Sequence, residues 1–166
     1  MDKTLTVRAI AALAHWNLPD QTPELLNYRE NAVFKVRLAN GEPAALRLHR
    51  PAYHSPAALA SELAFMAHLR ANGLAVPEPI PTVTGALLVA LSEAPHHADL
   101  LGWMEGEPLG ESGVPLPRAG RDVPALFETI GRDMARLHDA ADTFVLPENF
   151  ERPAWDAAGL LGEAPF

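Results

Sequence analysis

"AALRLHRP", residues 44–51, sets the problem of this chain. A short apolar run carries Arg47 at its centre, follows an Asn40-Gly41 pair and is stopped by Pro51. Upstream, "NAVFKVRL" (31–38) alternates Phe34, Val36 and Leu38 against Val33, Lys35 and Arg37, the period of a strand. Asn-Gly between two alternating runs is a strong hairpin signal. A two-residue turn there predicts Val36 opposite Ala45 and Phe34 opposite Arg47, so Arg47 shares a face with apolar side chains and lies inside.

A charge on a buried face is costly unless it is paired. The segment "SPAALASELAFMAHLRANG" (55–73) supplies the pair. Ser55 is its N-cap, Pro56 its first helical residue and Gly73 its left-handed stop. At 100° per residue, Leu59, Leu63, Met66 and Leu69 form one stripe, and Glu62 falls inside it. Arg47 with Glu62 is the simplest mutual solution, although Arg70 near the helix end is an equal partner on periodicity alone.

Outward from this pair, "LTVRAIAALAHWNL" (5–18) reads as a helix through Val7, Ile10, Leu13 and Leu18, stopped by Pro19. After the spaced prolines of "VPEPIP", "TVTGALLVALSE" reads as another hairpin or strand pair turning near Thr84-Gly85, and "ADLLGWM" as one more strand. The His96-His97-Ala98-Asp99 run reads as a solvated turn, since it has neither metal-ligand spacing nor the Asn that a kinase catalytic loop would place five residues after its Asp. Gly, Pro and charge dominate 105–122 and mark a connector. Beyond it, Asp122 caps a helix with Leu126, Ile130, Met134 and Leu137 on one stripe, where His138 reads as a packed or dipole-satisfied residue. The tail from Thr143 is loop-like, anchored by Trp155. The expected fold is α+β: an antiparallel sheet of about five strands with a packed helix, spanning 1–102, then a helical part, 103–166.

Composition bounds the partners. A formal charge of -8 with 13 dispersed Lys and Arg argues against a nucleic-acid surface. The absence of cysteine removes disulfides and thiolate metal sites, and no window reaches the ~18 apolar residues of a membrane helix. A cytoplasmic protein without membrane attachment is expected.

Taken together, "ENAVFKV", the hairpin, "AALRLHRP", the helix with its inward glutamate and "LLGWMEGEPL" resemble the small lobe of the aminoglycoside phosphotransferase, homoserine kinase and choline kinase-like family, which has a protein-kinase-like fold. The kinase strand motif V-A-I-K maps onto Ala44, Ala45, Leu46 and Arg47. The resemblance implies that Arg47 holds the α- and β-phosphates of ATP and pairs with Glu62. Arginine replaces the usual lysine, but a guanidinium keeps its charge and can fork to carboxylate and phosphate together. It also implies that "YRENA" (28–32) turns over the phosphates with Asn31 as polar contact. Leu101, Gly102, Trp103 and Met104 would form a hinge whose backbone reads the adenine edge, while Ala45 and a hairpin valine cover the ring.

The resemblance stops short of the transfer chemistry. No catalytic Asp with its following Asn and no metal-binding Asp motif occurs in the chain, so no catalytic residue is assigned, the ligands of the Mg2+ that the resemblance implies beside ATP are expected in a missing C-terminal part, and a truncated gene or fragment is expected. On this reading the chain is the ATP-binding portion of a kinase for a small-molecule hydroxyl acceptor. Aminoglycoside, homoserine, choline-like amine and protein hydroxyl all remain open. The rival is a non-catalytic nucleotide-binding or protein-interaction module, and an incompletely covered α-helical stripe would make the truncated chain self-associate.

Overall fold

The computed structural model describes residues 3–92, 96–107, 109–110, 112–114, 122–154 and 156–162. The elements run α1 (Lys3–Leu13), a 3-10 turn (Ala14–Trp16), β1 (Glu24–Tyr28), β2 (Asn31–Arg37), β3 (Pro43–His49), α2 (Pro56–Ala71), β4 (Val89–Ala90), β5 (His97–Gly102), α3 (Val123–Asp142) and α4 (Ala157–Leu161). The five strands among the described residues form one antiparallel sheet in the order β1-β2-β3-β5-β4. The α+β expectation therefore holds. No helix among the described residues is long and apolar enough to cross a membrane.

The hairpin register differs from the expected one by a residue. Leu38 N–H donates to the Glu42 carbonyl at 2.8 Å and Gly41 N–H to the Leu38 carbonyl at 2.9 Å, so the loop is Ala39-Asn40-Gly41. Gly41, at φ +85, takes the left-handed position that closes a three-residue loop. Consequently Phe34 pairs with Leu46 and Val33 with Arg47, rather than Phe34 with Arg47. Since side chains alternate, this slip moves Arg47 off the face of Phe34 and onto that of Val33.

One face of the sheet carries Ala32, Phe34, Val36, Leu46, Leu48 and Leu100, all buried beneath α1. The side of α1 that packs there is Leu5, Ala9, Ala12 and Leu13, continued by Trp16, while Val7 is exposed. Ala9 and Ala12 are wholly buried there, a part of the core that a count of large residues alone does not reveal. Trp16 locks the far end, its Nε1–H donating to the Ile80 carbonyl at 2.9 Å.

Helix α2 has the caps its sequence announces. Ser55 Oγ accepts from Ala58 N–H at 3.0 Å. At the other end Gly73 (φ +77) and Leu74 donate to the carbonyls of Arg70 and Leu69, at 2.9 and 3.1 Å. Asp122 likewise caps α3 through Ala125 N–H at 3.2 Å. Three expectations change. The Thr84-Gly85 turn exists, closed by Thr82 N–H on the Ala86 carbonyl at 2.8 Å, but Val89–Ala90 pairs with β5 instead of folding back on 82–86. Strand β1, which the sequence reading does not foresee, completes the sheet edge. Part of the tail is helical, as α4; Trp155 lies outside the described residues, as does half of the 105–122 connector.

Candidate functional site

The second face of the sheet carries a polar network where a core would be expected. Strand register places Val33, Arg47 and Asp99 in one row across β2, β3 and β5, with Asn31 and His49 in the adjoining row. Arg47 grips Asp99 with a two-pronged fork, Nε to Oδ1 and Nη2 to Oδ2, both 2.7 Å. Its Nη1 donates to Glu62 Oε1 at 2.8 Å. His49 Nε2 donates to Asp99 Oδ2 at 2.6 Å, and His49 Nδ1 lies 3.1 Å from Asn31 Oδ1. Asp99 is wholly buried and tolerates that position because three charged or polar donors surround it.

Electrostatics follow from this geometry. Burial works against the charge of Arg47, but the hydrogen bonds and charge of Asp99, then those of Glu62, outweigh it and raise its pKa above the usual arginine value. Burial would raise the pKa of Asp99; hydrogen bonds from His49 and Arg47 and the charge of Arg47 overcome it and hold the carboxyl below the usual range. At the edge of the network, burial and then the nearby His49 lower the pKa of His97. Of the five N–H groups of a guanidinium, three on Arg47 are engaged among the described residues, which leaves two for another acceptor.

The Arg47 to Glu62 pair expected from the sequence is thus present, and Arg70 instead meets Glu78 at 3.0 Å. Asp99 was missed. The His96 to Asp99 run is no solvated turn: His97 to Asp99 lie in β5, and His96 and Asp99 are buried. His96 donates from Nδ1 to the His49 carbonyl at 2.9 Å and accepts from Arg8 of α1 at 3.0 Å. The available signal was the strand "ADLLG", in which Asp99 alternates with Ala98 and Leu100. His138, on α3, is exposed rather than packed. Among the described residues no cluster of three His, Asp or Glu could hold a metal ion.

Farther along β5, Leu101 is buried and pairs with Ala45, and Gly102 N–H donates to the Glu78 carbonyl at 2.8 Å. A Cβ on Gly102 would stand 3.6 Å from the Glu78 backbone, an ordinary contact. Trp103 is half-buried, with Lys35 Nζ 4.4 Å from the ring centroid, and its buried Nε1–H has no partner among the described residues. Met104 is exposed. Gly102, Trp103 and Met104 line a cavity of about 370 Å³ together with Leu38, Pro43 and Glu78.

Known proteins place this geometry in context. The model of the family described as "Phosphotransferase enzyme family" matches residues 23–164. Over 84 residues the chain is 39% identical to a homoserine kinase of Rhizobium johnstonii, covering 51% of this chain and 22% of that protein. The solved structure of a microcompartment-associated aminopropanol kinase superposes with a TM-score of 0.73 at 29% identity, covering 96% of this chain and 47% of that one. An amicoumacin kinase in complex with AMP-PNP, Ca2+ and Ami shares the fold, with a TM-score of 0.74 at 16% identity over 93% of this chain and 45% of that one. The chain spans less than half the length of each of these proteins.

Proposed function

Because this chain belongs to the phosphotransferase enzyme family, we propose that it is the nucleotide-holding portion of a kinase that transfers the γ-phosphate of ATP to a hydroxyl of a small molecule. The observation that carries the reading is the part-buried Arg47, forked by Asp99, paired with Glu62 and, among the described residues, left with two donors without a partner. In this reading residues 1–102 form the ATP-binding lobe, and 103–166 the hinge, connector and start of a helical part. The two free N–H groups of Arg47 reach the α- and β-phosphates, while Asp99 and Glu62 hold the guanidinium in place. Asn31, at the turn between β1 and β2, turns its amide N–H groups to the same phosphates when its oxygen is on His49.

The adenine is assigned to Val33, Ala45 and Leu101, with the backbone of Gly102, Trp103 and Met104 along its edge. Bound ATP supplies the transferable phosphoryl group; the residues here orient and neutralise it. Mg2+ is different. Glu62 and Asp99, the carboxylates of the network, are both taken by Arg47, and the described residues offer no set of metal ligands, so no step is assigned to a metal here. The sequence also lacks a catalytic Asp with its following Asn, so the chain alone is expected to bind nucleotide without transferring phosphate. The acceptor is a small hydroxyl compound of the kind that names its relatives.

Calorimetric titration of the purified chain with AMP-PNP tests the assignment. Saturable binding is expected, weakened about 10- to 100-fold in Arg47→Ala, since hydrogen bonds to charged groups contribute about 1.5–3 kcal/mol. Equal affinity in Arg47→Ala, or no binding by the wild-type chain, would overturn it.

A further inference from the structure

Glu62 is held from two sides. Its Oε1 accepts from Arg47, and its Oε2 accepts from Arg152 Nη1 at 3.2 Å, across 90 residues of chain. Arg152 closes a strap that leaves the end of α3 and runs back along α2. At the start of the strap, His68 Nε2 donates to the Ala140 carbonyl at 2.8 Å, and the Phe144 ring sits 5.1 Å from those of Phe65 and His68. Phe150 stacks edge-on to Phe144 at 6.0 Å. At its end, Glu151 N–H donates to Ser61 Oγ at 3.0 Å, one residue before Glu62. Ser61 in turn donates to the Ala57 carbonyl at 2.8 Å.

Between the two ends lies a hollow of about 250 Å³, lined by Phe65, Met66, Phe144 and Phe150, with Glu62 and Arg152 among its walls. The strap therefore touches α2 at its ends and leaves the middle loosely filled, so the polar end at Ser61 and Glu62 sets the local position. Glu62 is a long side chain, one quarter exposed, and one ion pair leaves its second oxygen free to turn toward water. A guanidinium on each oxygen removes that freedom. It also balances charge: two carboxylates face Arg47, and Arg152 offsets the second before an anionic phosphate arrives.

We infer that Arg152, with Ser61 as the companion anchor, is a positioning residue for Arg47: the 143–152 strap locks Glu62 where it fixes one arm of the Arg47 guanidinium. Asp99 fixes the other two contacts from within the sheet, independently of the strap. The inference rests on Arg47 being the phosphate-holding cation, but its direct consequence, order at Arg47 Nη1, needs no ligand.

The test is solvent exchange of the Arg47 guanidinium protons, read by NMR in the ligand-free chain. In Arg152→Ala the Nη1 protons, facing Glu62, should exchange about tenfold faster, while Nε–H, held by Asp99, stays as in the wild type. Arg152→Lys should restore slow exchange, and Ser61→Ala should shift it in the same direction by less. Unchanged Nη1 exchange in Arg152→Ala would make the contact an ordinary surface ion pair and overturn the inference. Equal acceleration at Nε and Nη1 would mean general loosening and would overturn it as well. AMP-PNP affinity should fall about fivefold in Arg152→Ala and by nothing further when Glu62→Ala is already present. A persistent loss in that background would make Arg152 a direct phosphate contact, against the inference. Wild-type chain that binds no nucleotide would sink the proposed function, and the proton exchange would still decide Arg152.

Discussion

The two faces of the sheet are built on opposite principles. Beneath α1, Phe34, Leu46, Leu48 and Leu100 interlock with Leu5, Leu13 and Trp16, and stability comes from apolar area removed from water. On the other face, Asn31, Arg47, His49 and Asp99 occupy the same strands one residue over, and order comes from a few short charged hydrogen bonds. The first arrangement tolerates substitution in proportion to volume. The second tolerates removal of a whole pair better than removal of one partner, because a lone buried charge has no substitute for water. Alternation along the strands is thus enough for one sheet to carry an apolar face and a charged one.

The largest effects should separate the faces. Phe34→Ala should cost about 3–5 kcal/mol of unfolding free energy by leaving a cavity, with no mutation elsewhere restoring it cheaply. Asp99→Ala should cost a similar ~3–5 kcal/mol by taking the acceptor from two Arg47 donors and from His49, yet Arg47→Met combined with Asp99→Leu should recover most of that while abolishing AMP-PNP binding. Denaturant titrations of the single and double variants measure the contrast. If the double change is as unstable as the sum of its parts, the polar face is not a self-compensating network.

A smaller effect concerns acid. The folded-state pKa of Asp99 lies below its unfolded value of about 3.9, so its contribution is complete above that pH and is lost as pH falls through the folded value. Arg47 is shifted upward, so its contribution would be lost only at pH values above its usual titration, and no alkaline limb is expected. Urea unfolding from pH 7 downward should therefore show stability falling below about pH 4, with a shallower fall in Asp99→Asn. An unchanged acid limb would move the acid sensitivity elsewhere.

The smallest effect tests the surface of α3. Leu126 and Ile130 are half-covered, whereas Met134 and Leu137 are exposed along the same stripe, beside a cavity of about 440 Å³ lined with Leu74 and Val76. Weak self-association through this stripe is expected, visible by light scattering at high concentration and reduced in Met134→Lys. A stable monomer that binds no apolar dye would show that the stripe is not sticky.

Much of the molecule was legible in the amino-acid order alone. Period, caps and turn residues act over a few positions, so Ser55 and Gly73 delimit α2, Asp122 opens α3, and the inward Glu62 points to a partner on the strand bearing Arg47. Tertiary structure decided the rest. Whether Asn40-Gly41 forms a two- or three-residue loop depends on how the flanking strands pack, and the answer set which face Arg47 occupies. Asp99 lies 52 residues from Arg47, and Arg152 lies 90 from Glu62. Nothing local distinguishes a buried carboxylate from a solvated one, or a strap from a tail, because the energy that makes the difference arises only when distant segments shut out water between them.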